Sequence, residues 1–442
     1  MPSGTQKGAT VMVAAELSFG SPDATDARAL DVSGAGTAYS LLCRAESFNS
    51  SAGAFKQSVR QVNDITLAGG VPSVEVDSIV NGSGNVKQVK AIVTLRGDLR
   101  GFGSTAITSS GMGVLLQSGF AVTSRTPGTS CTATEDTTTT FTVGGGDLGK
   151  FAKGDIVAVE QLDGTFRFVK ITGRNSGTNT LTCLTPHGIP NGQTATVRQC
   201  HMVTPSTGGA TSSILLQFSP ADGGQTQLGV GGRLMSLAFE SVGDSAVEWV
   251  AEVELVDGEY SDAATITVST PKHYGINGTT ACKRRVAPVR VSDDHSAETA
   301  PFAVDDASIK LRSWTAKVTN TLQPVADQAT RCGRSGTSIT QTIAEVSFPQ
   351  DAPGGGEVDG REVLRLGERR ALYLTAAGAN AAGNGFCFFV ANAQPQEDPG
   401  ITYADDDRTQ VFSARAGDYA GDETGSNGGD ARNTPWVIAW VA

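Results

Sequence analysis

Short runs of alternating hydrophobic and polar residues, separated by clusters of Gly, Asn, Asp and Pro, recur along almost the whole chain. A period of two puts alternate side chains on opposite faces of an extended strand, so this texture predicts an all-β protein. The clearest instance is Val74 to Gly97. Val74, Val76 and Val80 alternate with polar residues, Asn81-Gly82-Ser83-Gly84-Asn85 supplies a turn, and Val89, Ala91, Val93 and Leu95 alternate back against Gln88, Lys90, Thr94 and Arg96. A long hairpin with one apolar and one wet face follows from this pattern. The texture breaks at Ser104 to Phe120. There Met112, Leu115, Leu116 and Phe120 recur at helical spacing, and Gly119 stands where a left-handed cap would end a short helix.

Three apolar runs with tight turns, Lys153 to Val159, Gly164 to Gly173 and Thr178 to Leu184, crowd into Thr132 to Cys200. They predict a small five- or six-stranded barrel inserted at 131–200. Its Thr/Gly-rich flanks, Thr129 to Gly149 and Gly188 to Gly209, read as linkers. Strands resume at Ser213 to Phe218, Arg233 to Ser241 and Val247 to Val256. After a weakly patterned connection, 273–302, they continue through Ala307 to Thr319, Ser338 to Phe348, Arg370 to Ala376, Gly385 to Ala391 and Thr409 to Ala416, closing on Trp436 to Val441. The expected organisation is an N-terminal arm (1–40), a first β domain in two pieces (41–130 and 201–272), the inserted barrel (131–200), the connection (273–302) and a C-terminal β unit (303–442). Arg233-Leu234, Leu237-Ala238-Phe239, Gly243 and Trp249-Val250 are echoed by Arg369-Arg370, Leu372-Tyr373-Leu374, Gly378 and Phe386-Cys387. If the echo is real, one β fold is duplicated within the chain.

Composition narrows the function. Gly supplies 54 of 442 residues, and Lys plus Arg (34) against Asp plus Glu (45) leaves a net charge of −11. Such a chain repels phosphates, which disfavours a nucleic-acid grip. The seven cysteines are scattered without a CxxC pair, so reduced, buried thiols are expected rather than disulfides or zinc. No basic segment precedes the apolar run Thr10 to Ala15, and no stretch nears the ~18 residues of a membrane span, so a soluble product of the cytoplasm without a membrane span is expected. The four histidines lie far apart, no nucleophile elbow, phosphate loop or zinc-protease motif is present, and Asp293-Asp294 and Asp405-Asp406-Asp407 lack calcium-loop spacing. Neither an enzyme, a metal nor a cofactor is expected.

With chemistry so sparse, function is expected in surfaces. The strand Val89 to Gly97 (VKAIVTLRG), the small-residue turn and helix Met112 to Phe120 (MGVLLQSGF), Leu215 to Phe218 with Asp222-Gly223-Gly224, and the strand pair Gly231 to Ser241 and Val247 to Asp257 follow one another in order. Next come Ala307 to Leu322 (ASIKLRSWTAKVTNTL), Gly378 to Gln394 and Tyr403 to Asp407. This order resembles that of the major tail tube proteins of long-flexible-tailed bacteriophages, over most of the chain outside Thr132 to Cys200. The resemblance implies a β sandwich or half-barrel that joins its neighbours in stacked hexameric rings, or in trimers of a duplicated fold that imitate hexamers. It further implies a virion tail built in the bacterial host cytoplasm. The implied partners are other copies and the tape measure, terminator and distal tail proteins, with DNA passing through unbound.

Under that resemblance the candidate lumen hairpin carries Glu75, Asp77, Lys87, Lys90 and Arg96. The stretch Pro395 to Arg432 holds nine acids against three arginines, an excess of 9 − 3 = 6. Its Asp405, Asp406, Asp407, Asp418, Asp422 and Glu423 are a candidate acidic lumen or inter-ring loop. Lys283, Arg284 and Arg285 are the candidate basic interface on a neighbour. The alternative reading is another β-rich virion subunit, a decoration, baseplate or adhesin protein that binds a host glycan, with Trp249, Trp314, Trp436 and Trp440 as sugar platforms.

Overall fold

The computed structural model describes residues 10–16, 19, 37–41, 49–50, 59–63, 72–76, 91–103, 105–206, 212–219, 226–242, 245–261, 283–291, 307–308, 313–327, 334–351, 359–368, 370–377, 384–398, 400–404, 407–417 and 434–442. The protein is mainly β, and every strand pairing among these residues is antiparallel. The N-terminal strands are β1 (Thr10–Ala15), β2 (Tyr39–Leu41), β3 (Asn49–Ser50), β4 (Val59–Asn63), β5 (Pro72–Val76) and β6 (Ala91–Asp98). Helix α1 (Gly111–Gln117) and β7 (Ala121–Thr123) lead into β8 (Ser130–Thr137), β9 (Thr140–Val143), β10 (Ile156–Glu160), β11 (Phe166–Asn175), β12 (Thr180–Cys183) and β13 (Thr194–Thr204). Then follow β14 (Ile214–Ser219), β15 (Thr226–Val242), β16 (Glu248–Leu255), β17 (Asp257–Ser261), β18 (Lys283–Val291) and β19 (Ala307–Ser308). The chain ends through β20 (Ser313–Ala326), β21 (Arg334–Asp351), α2 (Gly360–Leu366), β22 (Arg370–Ala377), β23 (Gly385–Pro395), β24 (Ile401–Ala404), β25 (Asp407–Ala416) and β26 (Trp436–Val441).

Most of these strands stack in three layers, while β2, β1, β14, the first part of β15 and β17 form a further sheet and β4 pairs with β5 alone. The first sheet runs β3-β6-β16-β15-β20-β21-β25-β24, and the second runs β19-β18-β22-β23-β26-β13-β7. Trp249, Phe239, Trp314 and Phe348 from the first sheet meet Phe386, Phe388, Trp436, Ile438 and Trp440 from the second in one apolar core. The third layer is a barrel. β8 pairs with β9, β9 with β12, β12 with β11, β11 with β10, β10 with β13 and β13 again with β8, so six strands close on themselves. Closure leaves no strand edge, and Phe141, Phe151, Val157, Val169, Leu181 and Val197 fill the interior.

The second sheet lies between the other two layers, and its sequence reflects this. In β26 every residue is buried: Trp436, Ile438 and Trp440 face the first sheet, while Val437, Ala439 and Val441 face Phe166, Phe168 and Leu184 of the barrel wall. A strand covered on both faces loses its alternation, as the unbroken runs FCFFVANA and WVIAWV do. The expectation that the barrel's flanks are linkers therefore needs correction. Thr129 to Gly149 holds β8 and β9, and half of Gly188 to Gly209 is β13, one strand that serves the barrel through Thr194–Gln199 and the second sheet through Cys200–Val203.

Two further expectations change. Within the expected hairpin, β5 pairs with β4 (Val74↔Gln61), and β6 pairs with β16 (Leu95↔Ala251) and β3; residues 77–90 lie outside the described ones. Gly119 is not a left-handed cap: a Cβ there would sit 2.8 Å from Leu234 Cβ and 2.9 Å from Asn320 Nδ2, so close packing is what demands glycine. The helix itself starts at Ser110, whose hydroxyl accepts the Gly113 N–H at 3.1 Å. A second helix, α2, has the matching signals, with Asp359 capping the Arg361 N–H at 2.9 Å and Gly367 left-handed at φ 66°. Glycine also lets β15 change partners. Thr226–Gly232 lies between β14 and β17, Arg233–Val242 lies between β16 and β20, and Gly231 at the corner has φ 66° with Val256 Cγ2 2.1 Å from where its Cβ would be.

Candidate functional site

β20 and β21 form the longest hairpin, paired from Thr315↔Ser347 out to Ala326↔Arg334. Its inner half is held on both sides, by β15 as far as Thr319 and by β25 from Glu345 onward. Beyond those residues, among the described ones, no strand lies along either edge. The segments Thr321–Ala326 and Gly336–Ile343 contain no charged residue. Thr321, Gln323, Pro324, Val325, Ser338, Thr340 and Gln341 are exposed, Val325 at 48%. Uncharged strand segments with open edges present unpaired N–H and C=O groups, a template for another strand. Pro324 and two register shifts, at Thr321/Leu322 and Val325/Ala326, limit which strands fit it.

The hairpin is rooted by Asn320. Its buried amide donates to the Leu234 carbonyl at 2.9 Å and the Gly119 carbonyl at 3.3 Å, and its Oδ1 accepts the Thr342 hydroxyl at 2.7 Å. One side chain thus ties together the end of α1, the first sheet and both hairpin strands. In the sequence, Ala307 to Thr319 and Ser338 to Phe348 read as separate strands. The signal that joins them is the alternation continuing through TNTLQPVA and GTSITQT, missed because polar residues occupy both faces.

The outer face of the first sheet is the second surface. Inward positions of β6, β16, β15, β20, β21 and β25 enter the core, so the alternate positions face out. Arg96, Val250, Ala238, Lys317, Glu345 and Arg415 form one row across six strands, and Asp98, Glu248 and Glu240 begin the next. Arg96 lies 3.7 Å from Glu248, Arg415 donates to Glu345 at 2.8 Å, and the Ser236 hydroxyl donates to Glu252 at 2.6 Å. With Asp98, Glu240, Glu248, Glu252 and Glu345 against Arg96, Lys317 and Arg415, the face is acidic on balance.

The remaining sequence candidates fall as follows. Glu75 is in β5, opposite Arg60, away from Arg96 in β6 by pairing, and Asp77, Lys87 and Lys90 lie outside the described residues. Lys283, Arg284 and Arg285 start β18, at the border of the second sheet. Asp407 opens β25 opposite Ala404, while Asp405, Asp406, Asp418, Asp422 and Glu423 lie outside the described residues. The four tryptophans are fully buried in the core, which removes them as sugar platforms.

Titratable groups outside these surfaces are structural. His187 is buried, with Nε2 donating toward the carbonyls of Thr137 and Thr140, and burial lowers its pKa. The described cysteines Cys131, Cys183, Cys200 and Cys387 are buried thiols outside any disulfide, and burial pushes the Cys131 thiol up to about 11. Where the barrel joins the second sheet, Arg125 donates to both oxygens of buried Asp155 at 2.9 and 3.0 Å, and Asp155 also accepts the Ala152 N–H at 2.8 Å. Among the described residues no His/Cys/Asp/Glu group has the spacing of a metal site, and no helix is long and apolar enough to cross a membrane. No known protein-family model and no curated protein matches this chain.

Proposed function

We propose that this protein is a non-enzymatic structural subunit that assembles, copy against copy, into stacked rings forming the tail tube of a long-flexible-tailed bacteriophage. The observation that carries the reading is the hairpin formed by Thr321–Ala326 and Gly336–Ile343, two strand segments without a charged residue that no third strand flanks among the described residues. A monomer gains nothing by leaving two such edges exposed, whereas strand addition between copies pairs them. The acidic outer face of the first sheet supplies the wall: a polyanion sliding along it releases no counterions and finds no grip. Partners under this reading are further copies and the tape measure, terminator and distal tail proteins of a tail.

The test is negative-stain imaging of the purified protein. Rings or hollow tubes with a uniform pore wide enough for duplex DNA are expected. Monodisperse monomers at every concentration overturn the reading.

A further inference from the structure

Two strand edges of opposite charge stand open. β18 pairs with β22 along one side, and on the other side β19 reaches only Arg290 and Val291. Along Lys283–Val289 the outer edge therefore meets no strand among the described residues. Its sequence, KRRVAPVRV, contains Lys283, Arg284, Arg285 and Arg290 and no acid. β18 also leaves register with β22 between Arg284 and Val289, and Pro288 lies within that excursion. Positive charge, a bulge and a proline are the means by which an edge refuses indiscriminate partners. They exclude a second β18, because like charges directly opposite repel. They do not exclude an acidic strand.

β24 meets that description. It pairs with β25 alone among the described residues, from Ile401↔Gln410 to Ala404↔Asp407. Exposed Glu397 and Asp398 precede it, and Asp407 follows it. Asp398 holds Arg361 at 2.8 Å within the chain and is the more exposed member of that pair, at 65% against 44%.

We infer that the β18 edge of one copy receives the β24 edge of a second copy as a charge-matched strand addition. The inference rests on the ring-forming reading and adds a second contact to that of the β20–β21 hairpin. β18 lies at the border of the second sheet and β24 at the end of the first, so the contact joins two different patches. Such a heterologous contact repeats head to tail, closing a ring or extending a filament, rather than ending as a two-fold dimer.

The test uses the full chain and two triple variants, one with Lys283→Glu, Arg284→Glu and Arg285→Glu, the other with Glu397→Lys, Asp398→Lys and Asp407→Lys. Each alone is expected to associate at least about tenfold more weakly than the parent in sedimentation velocity. Mixed in equal amounts they are expected to associate again, since each reversed edge then meets its complement. Carbodiimide cross-linking of mixed light and heavy-isotope parent protein is expected to join Lys283 of one copy to Glu397, Asp398 or Asp407 of another, which keeps the test open if a variant fails to fold. A parent that never associates overturns the ring reading and this contact with it. A parent that associates, with both triples associating equally well and no such cross-link, overturns the strand addition alone.

Discussion

The backbone N–H of Arg125 donates to Nδ1 of His201 at 3.0 Å, and this bond ties together the two places where the chain crosses between the barrel and the second sheet. Because Nδ1 accepts, the ring is neutral with its proton on Nε2. The imidazole is fully buried, edge-on to Phe102 at 5.6 Å between ring centres. Burial first, and the nearby Arg125 charge second, hold its pKa down at about 4, against 6.5 for an ordinary histidine.

This relationship sets a pH dependence. The unfolded chain takes up a proton on His201 below pH 6.5, while the folded one resists until about pH 4. Stability is therefore full above pH 6.5 and falls as the pH drops toward 4, by roughly 3 kcal/mol in all. Denaturant melts across that range check it. His201→Phe, which cannot titrate, is expected to flatten this part of the profile, and an unchanged slope counts against the assignment.

Asp155 is the anion that makes the same joint tolerable. Asp155→Ala leaves the Arg125 guanidinium, only 20% exposed, without its carboxylate and frees the Ala152 N–H. A loss of about 3 kcal/mol is expected, because removing one partner strands the other charge. Asp155→Asn, which keeps an acceptor, is expected to lose less; equal losses would mean the charge is irrelevant.

Gly231→Ala tests the corner in β15. The new methyl would need φ 66° and would lie 2.1 Å from Val256 Cγ2. Strain and overlap together are expected to cost at least about 3 kcal/mol in an unfolding titration. Gly128→Ala, also at positive φ (76°) but with open space around it, isolates the backbone part and should cost about 1 kcal/mol.

Asn320 separates anchoring from assembly. Asn320→Ala leaves the Thr342 hydroxyl and two carbonyls without their partner and is expected to cost about 2 kcal/mol. By contrast, Val325→Lys with Ser338→Lys on the exposed tip should shift stability by no more than about 0.5 kcal/mol while abolishing rings or tubes in electron micrographs. Intact tubes from the tip variant would show that the hairpin edges do not carry assembly.

The β class, the short helix after VKAIVTLRG and the strands of the 131–200 segment were legible in the sequence, because period-two alternation and turn residues act over a few residues. Asp359 and Gly367 could have disclosed α2 in the same local way. Strand partnership was not legible. Alternation says that Leu95 faces a core, but only the tertiary structure places it opposite Ala251, far along the chain, since any strand of matching length and pattern competes for that edge. Nor does composition reveal that β26 and β23 are covered on both faces, because an unbroken apolar run looks alike whether a second sheet or a barrel wall lies behind it. The acidic balance belonged to the sequence. The row of Arg96, Lys317, Glu345 and Arg415 on one sheet face, and the open edges of β18, β24 and the Thr321–Ile343 hairpin, came from packing, which alone decides which backbone groups find partners within the chain and which are left for another.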